Sequence, residues 1–216
     1  MRRFLCVPNS FLLVIAFVTL LSGCAGLSHQ YRASTEGMSV SYTVNKEQFI
    51  NPKAKVFISS SDERLDKEIF GDGAKPSAGT RALGFVFFGV YYAPALLFDQ
   101  PTLKDQQDPI RIFKTATSER LSKNGITVTN DNDVLVVDLL VRQFKLDFSF
   151  GKWIGEVGYV ARVKKNGEIV CQNEIYEKAT AFNFYCFGSG EKAINEAFGK
   201  AIDRLDINSC FSKLQK

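Results

Sequence analysis

Residues 134–150, VLVVDLLVRQFKLDFSF, give the strongest strand signal in the chain and decide its fold. Before Arg142 the apolar residues occupy odd positions, and after Gln143 they occupy even positions. The two sets are Leu135, Val137, Leu139 and Val141, and then Phe144, Leu146, Phe148 and Phe150. Because neighbouring side chains of a strand point to opposite faces, a shift of one residue exchanges the faces. We therefore predict a bulge or break near Arg142 and Gln143, or a strand that leaves one sheet surface and meets another.

The next stretch is typical of a β-hairpin that turns at residues 165–167, Lys-Asn-Gly. A two-residue Asn-Gly turn would place Glu174 opposite Tyr159 and Gln172 opposite Ala161, which pairs polar with apolar side chains. A three-residue loop with Gly167 in the left-handed conformation aligns apolar residues instead. Its pairs are Val163 with Ile169, Ala161 with Cys171, and Val157 with Ile175. We predict this second register.

Two stretches carry helix signals. Asp108 and Pro109 begin the first, because an aspartate caps free backbone N–H groups and proline fits the first helical position. Asn124-Gly125 ends it, since glycine tolerates the left-handed conformation that follows a helix. The second is predicted to start with Ser189 as its N-cap, and its apolar residues up to Leu205 have the spacing of a helix that covers a sheet.

Shorter alternating runs at 39–44, 55–58 and 126–129 predict three further strands. A long loop is expected between the second of these strands and Asp108. The resulting order of elements predicts an α+β fold with two layers, in which a mainly antiparallel sheet carries two helices on one face.

Length and charge narrow the function classes. The chain has 216 residues, with 27 Lys and Arg against 23 Asp and Glu, which suits one globular domain of nearly balanced charge. Arg2 and Arg3 lie in a segment that we expect to be removed. A nucleic-acid-binding protein needs a clustered basic face, and no stretch of the sequence supplies one. We therefore expect no nucleic-acid partner.

The first residues are typical of a secretory signal peptide. Two arginines precede an apolar run from Phe11 to Leu21, and small residues follow before Cys24. Residues 21–24, Leu-Ser-Gly-Cys, resemble the bacterial lipobox, in which the cysteine becomes linked to diacylglycerol and is exposed as the first residue. The alternative is a plain signal peptide in which Cys24 has no role. We expect residues 1–23 to be the signal, 24–37 a lipidated N-terminus and tether, and 38–216 a single periplasmic domain.

The resemblance to bacterial lipoproteins also implies a location. In Gram-negative sorting, an aspartate after the lipidated cysteine retains a lipoprotein in the inner membrane. Ala25 and Gly26 follow Cys24 here. The resemblance thus implies the periplasmic face of the outer membrane, with acyl chains such as palmitate as the anchor.

Four stretches resemble the YajG-type lipoproteins of bacterial envelopes. They are residues 61–64 (SDER), 118–129 (SERLSKNGITVT), 131–148 (DNDVLVVDLLVRQFKLDF) and 191–205 (EKAINEAFGKAIDRL). The resemblance covers roughly residues 54–206 and implies a protein that is not an enzyme. An apolar insert at 82–98 departs from that pattern.

The residue types needed for catalysis or metal binding are sparse. His29 is the only histidine, so a triad with a histidine base has no base in the domain. The remaining cysteines are far apart in sequence, and a structural zinc site needs short spacings. The acidic cluster at 62–68 (Asp62, Glu63, Asp66 and Glu68) is interleaved with Arg64 and Lys67 and predicts a self-paired surface. We expect no metal, no cofactor and no enzymatic activity.

Three cysteines of the predicted domain, Cys171, Cys186 and Cys210, would lie in an oxidising compartment, where one disulfide is expected. The strand from Glu168 carries Cys171 near its start, and the following helix would run about 24 Å at 1.5 Å per residue. If that helix returns antiparallel to the strand, Cys210 arrives near Cys171. We predict the Cys171–Cys210 pair, which leaves Cys186 free, buried or intermolecular.

The apolar insert 82–98 has three interpretations. It is short for a membrane span, and Pro94 would interrupt a helix. It can form buried strands around Gly89, or it can be an exposed loop that contacts a membrane or a partner. In the last case the contacting residues are Phe85, Phe87, Phe88, Tyr91, Tyr92, Leu96 and Leu97.

Together these features predict a membrane-anchored outer-membrane lipoprotein with a non-catalytic binding or accessory role in cell-envelope assembly or maintenance. Its partners would be the membrane, through the N-terminal lipid, and an envelope protein. The alternative is a carrier or sensor that shelters a lipid or other apolar ligand between the helices and the sheet, with the insert as its lid.

Overall fold

The computed structural model describes residues 37–44, 54–75, 102–131, 134–182 and 187–213. The predicted signal, Cys24, the insert 82–98 and Cys186 lie outside the described residues. The strands are β1 (Lys55–Asp62), β2 (Thr127–Thr129), β3 (Leu135–Ser149), β4 (Lys152–Lys165) and β5 (Glu168–Phe182). The helices are α1 (Pro109–Lys123), α2 (Phe187–Asp203) and α3 (Ile207–Lys213). The described loops also contain two short 3-10 turns, Asp72–Ala74 and Lys104–Gln106.

The strands form one mixed sheet in the order β2-β1-β3-β4-β5. β1 is parallel to both β2 and β3, whereas the long pairs β3–β4 and β4–β5 are antiparallel. Both long helices pack on the same face of this sheet, so the predicted α+β fold with a mainly antiparallel sheet is confirmed. The parallel pairing of β1 and the short helix α3 are additions to the prediction.

The predicted bulge in β3 is present. Val141 pairs with Tyr159 and Gln143 pairs with Gly158, so that Arg142 is the extra residue. Val141 before the bulge and Phe144 after it are both buried, while Arg142 is exposed. The extra residue therefore keeps the apolar side chains of both halves of the strand on the face that carries the helices.

The hairpin register preferred from the sequence is wrong: the predicted Val163–Ile169, Ala161–Cys171 and Val157–Ile175 pairs do not form. Asn166 and Gly167 both have positive φ and make a two-residue turn, with Lys165 opposite Glu168. The register then shifts by one residue at Val170. As a result Val163 pairs with Cys171 and Tyr159 pairs with Ile175. A bulge in β5, and not a longer loop, aligns the apolar residues.

The start of α1 follows the prediction, since Asp108 accepts a hydrogen bond from the backbone N–H of Ile110 over 3.1 Å. The start of α2 does not. The helix begins at Phe187, so Ser189 lies inside its first turn and is not its N-cap. A Cβ on Gly190 would be 3.1 Å from the Trp153 ring, which shows how closely this turn lies on β4.

The strand predicted at 39–44 is also wrong. Met38 forms only an isolated bridge with Leu103, and no strand follows it in residues 39–44. The backbone N–H groups of Ser39 and Ser41 donate to side chains of α2 instead of to a neighbouring strand. Residues 37–44, here called the N-terminal segment, therefore lie along a helix.

One buried cluster joins the two layers, and an aromatic group forms its centre. Phe113 of α1 makes edge-to-face contacts with Tyr159 of β4 and Phe198 of α2, each with ring centroids 5.1 Å apart. Gly155 lets α2 approach β4, because a Cβ at this position would lie 2.6 Å from the Ala193 carbonyl oxygen. Side chains thus fill the space between the helices and the sheet at this point.

The two faces of β3 predict effects of different size for neighbouring substitutions. Leu146 is 1% exposed and faces the helices, so Leu146→Ala should lower the free energy of unfolding by about 2–5 kcal/mol. Lys145→Ala removes only a partly exposed ion pair with Asp66 and should change it by less than about 1 kcal/mol. Urea unfolding followed by circular dichroism measures both. Equal losses would contradict the assigned faces.

Candidate functional site

The structure describes two of the site residues predicted from sequence. Cys171 at the start of β5 and Cys210 in α3 form a disulfide with an S–S distance of 2.11 Å. Cys24 and the seven apolar residues of the insert lie outside the described residues, so their predicted roles stay predictions. Lys75 and Thr102, the nearest described residues on either side of the insert, lie close to the end of the sheet where β3 turns into β4. Gly73 touches Phe148 there, and the Thr102 carbonyl accepts from Met38.

A groove of about 630 Å³ runs between α1 and the N-terminal segment, with α2 beneath it. We call it the interhelical groove. Its lining combines apolar, hydroxyl and charged side chains. The lining residues are Val40, Ser41, Tyr42, Asp105, Gln107, Asp108, Arg111, Ile112, Thr115, Ala116, Glu119 and Phe198. The groove lies outside the packed interface between helices and sheet.

Side chains from distant parts of the chain hold the N-terminal segment in place. The carboxylate of Glu191 accepts from the Ser39 N–H over 3.2 Å, and the side chain of Asn195 bonds both Ser39 and Ser41. On the other side, Gln107 accepts from the Val40 N–H over 3.1 Å. These bonds satisfy backbone groups that would otherwise need a strand partner. They make the segment one wall of the groove.

The floor of the groove is apolar. Phe198 belongs to the central aromatic group and also lines the groove, together with Ile112 and Ala116 of α1. Phe198 is itself buried, so its ring is fixed by the core beneath it. A ligand in the groove would therefore meet a rigid apolar surface.

The rim of the groove carries more acidic than basic side chains. Asp105, Asp108 and Glu119 contribute carboxylates, and Arg111 contributes one guanidinium. Asp108 is already used as the cap of α1. Among the described residues, no group of three or more His, Cys, Asp or Glu side chains could hold a metal ion. The chemistry of the lining suits reversible binding of a molecule with both apolar and polar groups.

The relative position of the two long helices depends on Arg120. This side chain is 3% exposed and donates to the carbonyl oxygens of Ile202, Asp203 and Leu205, at and just beyond the end of α2. The carbonyl groups at a helix C-terminus lack partners inside the helix and carry partial negative charge. Arg120 adds side-chain hydrogen bonds to three carbonyls at this end of α2 from a neighbouring helix and so fixes α1 against α2.

The acidic cluster at 62–68 forms ion pairs, as predicted, but several partners come from elsewhere. Arg64 donates to both carboxylate oxygens of Asp62 over 2.9 Å, and Lys67 is 3.0 Å away. The Arg64 guanidinium holds the pKa of Asp62 well below its usual range. The other three carboxylates pair with cations outside the cluster, namely Glu63 with Arg142, Asp66 with Lys145 and Glu68 with Lys75.

The groove could not be found from local sequence. Its wall depends on bonds between Ser39 and Glu191 and between Ser41 and Asn195, which are more than 150 positions apart in each case. The alternating pattern at 39–44 favoured a strand, which would not form a wall along α2.

Within the described part of the chain, no helix has both the length and the apolar character needed to cross a bilayer.

Comparison with known proteins relates the chain to others by fold only. No family model and no curated protein matches the sequence. A Xanthomonas campestris protein of the DUF330 family is similar in structure, with a TM-score of 0.56 and 11% identity over 82% of this chain and 95% of that chain. This similarity shows a shared fold.

Two further solved structures are more distantly similar. A hypothetical protein from Chlamydia trachomatis has a TM-score of 0.41 and 7% identity, over 76% of this chain and 99% of that chain. A lipoprotein from Neisseria meningitidis has a TM-score of 0.26 and 14% identity, over 59% of this chain and 83% of that chain. At these scores neither supports a conclusion about this protein.

Replacement of Arg120 tests how the helices are held together. Arg120→Met leaves three carbonyl groups near the end of α2 without this donor, so the free energy of unfolding should fall by about 2–5 kcal/mol. Arg111→Met on the exposed side of the same helix is the matched control and should change it by less than about 0.5 kcal/mol. Thermal or urea unfolding measures both, and equal effects would contradict the role of Arg120.

Proposed function

We propose that this protein is a lipid-anchored lipoprotein of the outer membrane that binds an envelope protein and takes a non-catalytic part in envelope assembly or maintenance. The observation that carries the proposal is the sequence Leu-Ser-Gly-Cys at 21–24, which resembles a lipobox and is followed by Ala25 and Gly26. The described part of the domain begins at Gly37. A chain of this length between Cys24 and Gly37 would reach at most about 45 Å when fully extended. The domain would therefore stay close to the membrane surface.

The interhelical groove is the surface that we assign to the partner. Its apolar floor at Phe198 can take an apolar side chain, and its acidic rim favours neighbouring basic or hydrogen-bonding groups. Because Arg120 and the bonds of the N-terminal segment fix both walls, little ordering would be needed on binding. A polypeptide segment with one apolar side chain between basic residues has the matching chemistry.

One observation also favours the second candidate function, a carrier or sensor of an apolar ligand. Phe198, Ile112 and Val40 give the groove an apolar strip that an acyl chain could cover. This ligand site would lie outside the helix layer, since aromatic side chains occupy the centre of the interface between helices and sheet. The acidic rim would favour a lipid with a cationic or hydroxyl headgroup.

Metabolic labelling tests the anchor. Cells that express the chain are grown with an alkyne-tagged palmitate, and the purified protein is examined for label and for membrane fractionation. The native chain should carry the label and sediment with outer membranes, because the thioether-linked lipid holds it there. Cys24→Ala should lose the label, whereas Cys6→Ala, a cysteine on the other side of the apolar run, should keep it. A labelled Cys24→Ala protein, or an unlabelled native protein, would contradict the proposal.

Site-specific photo-crosslinking tests the groove. A benzoylphenylalanine at exposed Thr115, in the groove, should crosslink a distinct envelope protein in intact cells. The same residue at exposed Thr180 of β5 is the matched control and should not crosslink that protein.

Native mass spectrometry distinguishes the carrier from the protein-binding function. A lipid that copurifies with the native chain and is displaced by Thr115→Trp would favour the carrier. Equal crosslinks from both positions, with no bound lipid, would argue against a groove site.

A further inference from the structure

Two phenylalanine side chains are exposed at the same end of the sheet. Phe150, in the turn between β3 and β4, is 98% exposed, and Phe182, at the end of β5, is 72% exposed. Lys152 pairs with Phe182 across the strands, and a Cβ on Gly151 would lie 3.8 Å from the Phe182 ring. We call these two residues the aromatic tip. Rings with this exposure gain free energy when another apolar surface covers them.

The N-terminal segment enters the fold at this same end. Ser39 bonds Glu191 in the first turns of α2. The preceding residue of α2, Gly190, touches Trp153, which is the second residue of β4 after the turn that carries Phe150. The Trp153 ring also packs on Phe148, with centroids 5.2 Å apart. The N-terminal segment and the aromatic tip therefore lie at the same end of the sheet.

The geometry points to the phospholipid bilayer as the surface that the aromatic tip contacts, with Phe150 and Phe182 inserted among the headgroups and upper acyl chains. This inference rests on the proposed lipid anchor, which would hold this end of the domain nearest to the membrane. Aromatic side chains partition favourably into that layer. Exposed Lys152, directly opposite Phe182 on the neighbouring strand, would face lipid phosphates from the same position. The anchor and the tip would then contact the membrane at two separate points of the chain.

Quenching by brominated lipids tests this contact in the lipidated full chain. The protein is reconstituted into vesicles of phosphatidylethanolamine and phosphatidylglycerol, and flotation checks that it is bound. Phe150→Trp adds a second tryptophan to Trp153. The fluorescence that this new residue contributes should fall by about half or more when the acyl chains are brominated, because its indole lies in the interface. Ile169→Trp is the matched control, since Ile169 is 52% exposed on β5 but lies at the opposite end of the sheet. Equal quenching of the two variants would overturn the inference.

A second measurement separates the tip from the anchor. The Cys24→Ala chain without residues 1–23, whose apolar run would itself bind vesicles, is titrated with the same vesicles. Its partitioning is compared with that of the same chain carrying Phe150→Ser and Phe182→Ser. Loss of two apolar rings should lower the partition coefficient by about tenfold or more, whereas Ile169→Ser should leave it unchanged. Equal partitioning, or no partitioning by either chain, would overturn the proposed tip contact. Failure of the native chain to float in the first experiment would instead count against the lipid anchor.

Discussion

The extra residue in β3 is the constraint on which the rest of the structure depends. β3 is the central strand, and it pairs with β1 through its first half and with β4 along almost all of its length. Its apolar residues change from odd to even positions, and a regular strand would therefore expose one half of them. The single bulge at Arg142 keeps Val141 and Phe144 on the same face. Only with this continuous apolar face can the sheet bury both long helices in one core.

The groove follows from how the two helices meet that face. Phe113 of α1 and Phe198 of α2 contact each other above Tyr159, whose hydroxyl donates to the Ala201 carbonyl over 3.0 Å. Burial raises the pKa of Tyr159, so this phenol stays protonated and remains a donor across the physiological pH range. With Arg120, it anchors the second half of α2 to both β4 and α1. The helices are thus fixed at positions that leave room for the N-terminal segment between them.

Short stretches of sequence correctly predicted the features that depend on neighbouring residues. Asp108 and Pro109 marked the start of α1, and the change of phase at Arg142 marked the bulge. The errors occurred where tertiary contacts outweighed local preference. The hairpin has the tight Asn166-Gly167 turn, because a second bulge, in β5, aligns the apolar residues. Helix α2 begins before Ser189, because Gly190 lets its first turn pack on Trp153. The groove needed side chains from both ends of the chain, so no local pattern could reveal it.

The N-terminal segment connects two parts of the proposed function. It begins at the same end of the sheet as the aromatic tip and runs along α2, with Ser39 at Glu191, Ser41 at Asn195 and Tyr42 at Asp203. The residues that follow the tether are therefore the residues that form one wall of the groove. If Cys24 holds the chain on the membrane, this wall leads away from the bilayer along α2. A molecule bound in the groove would then contact a wall formed by the same part of the chain that follows the anchor.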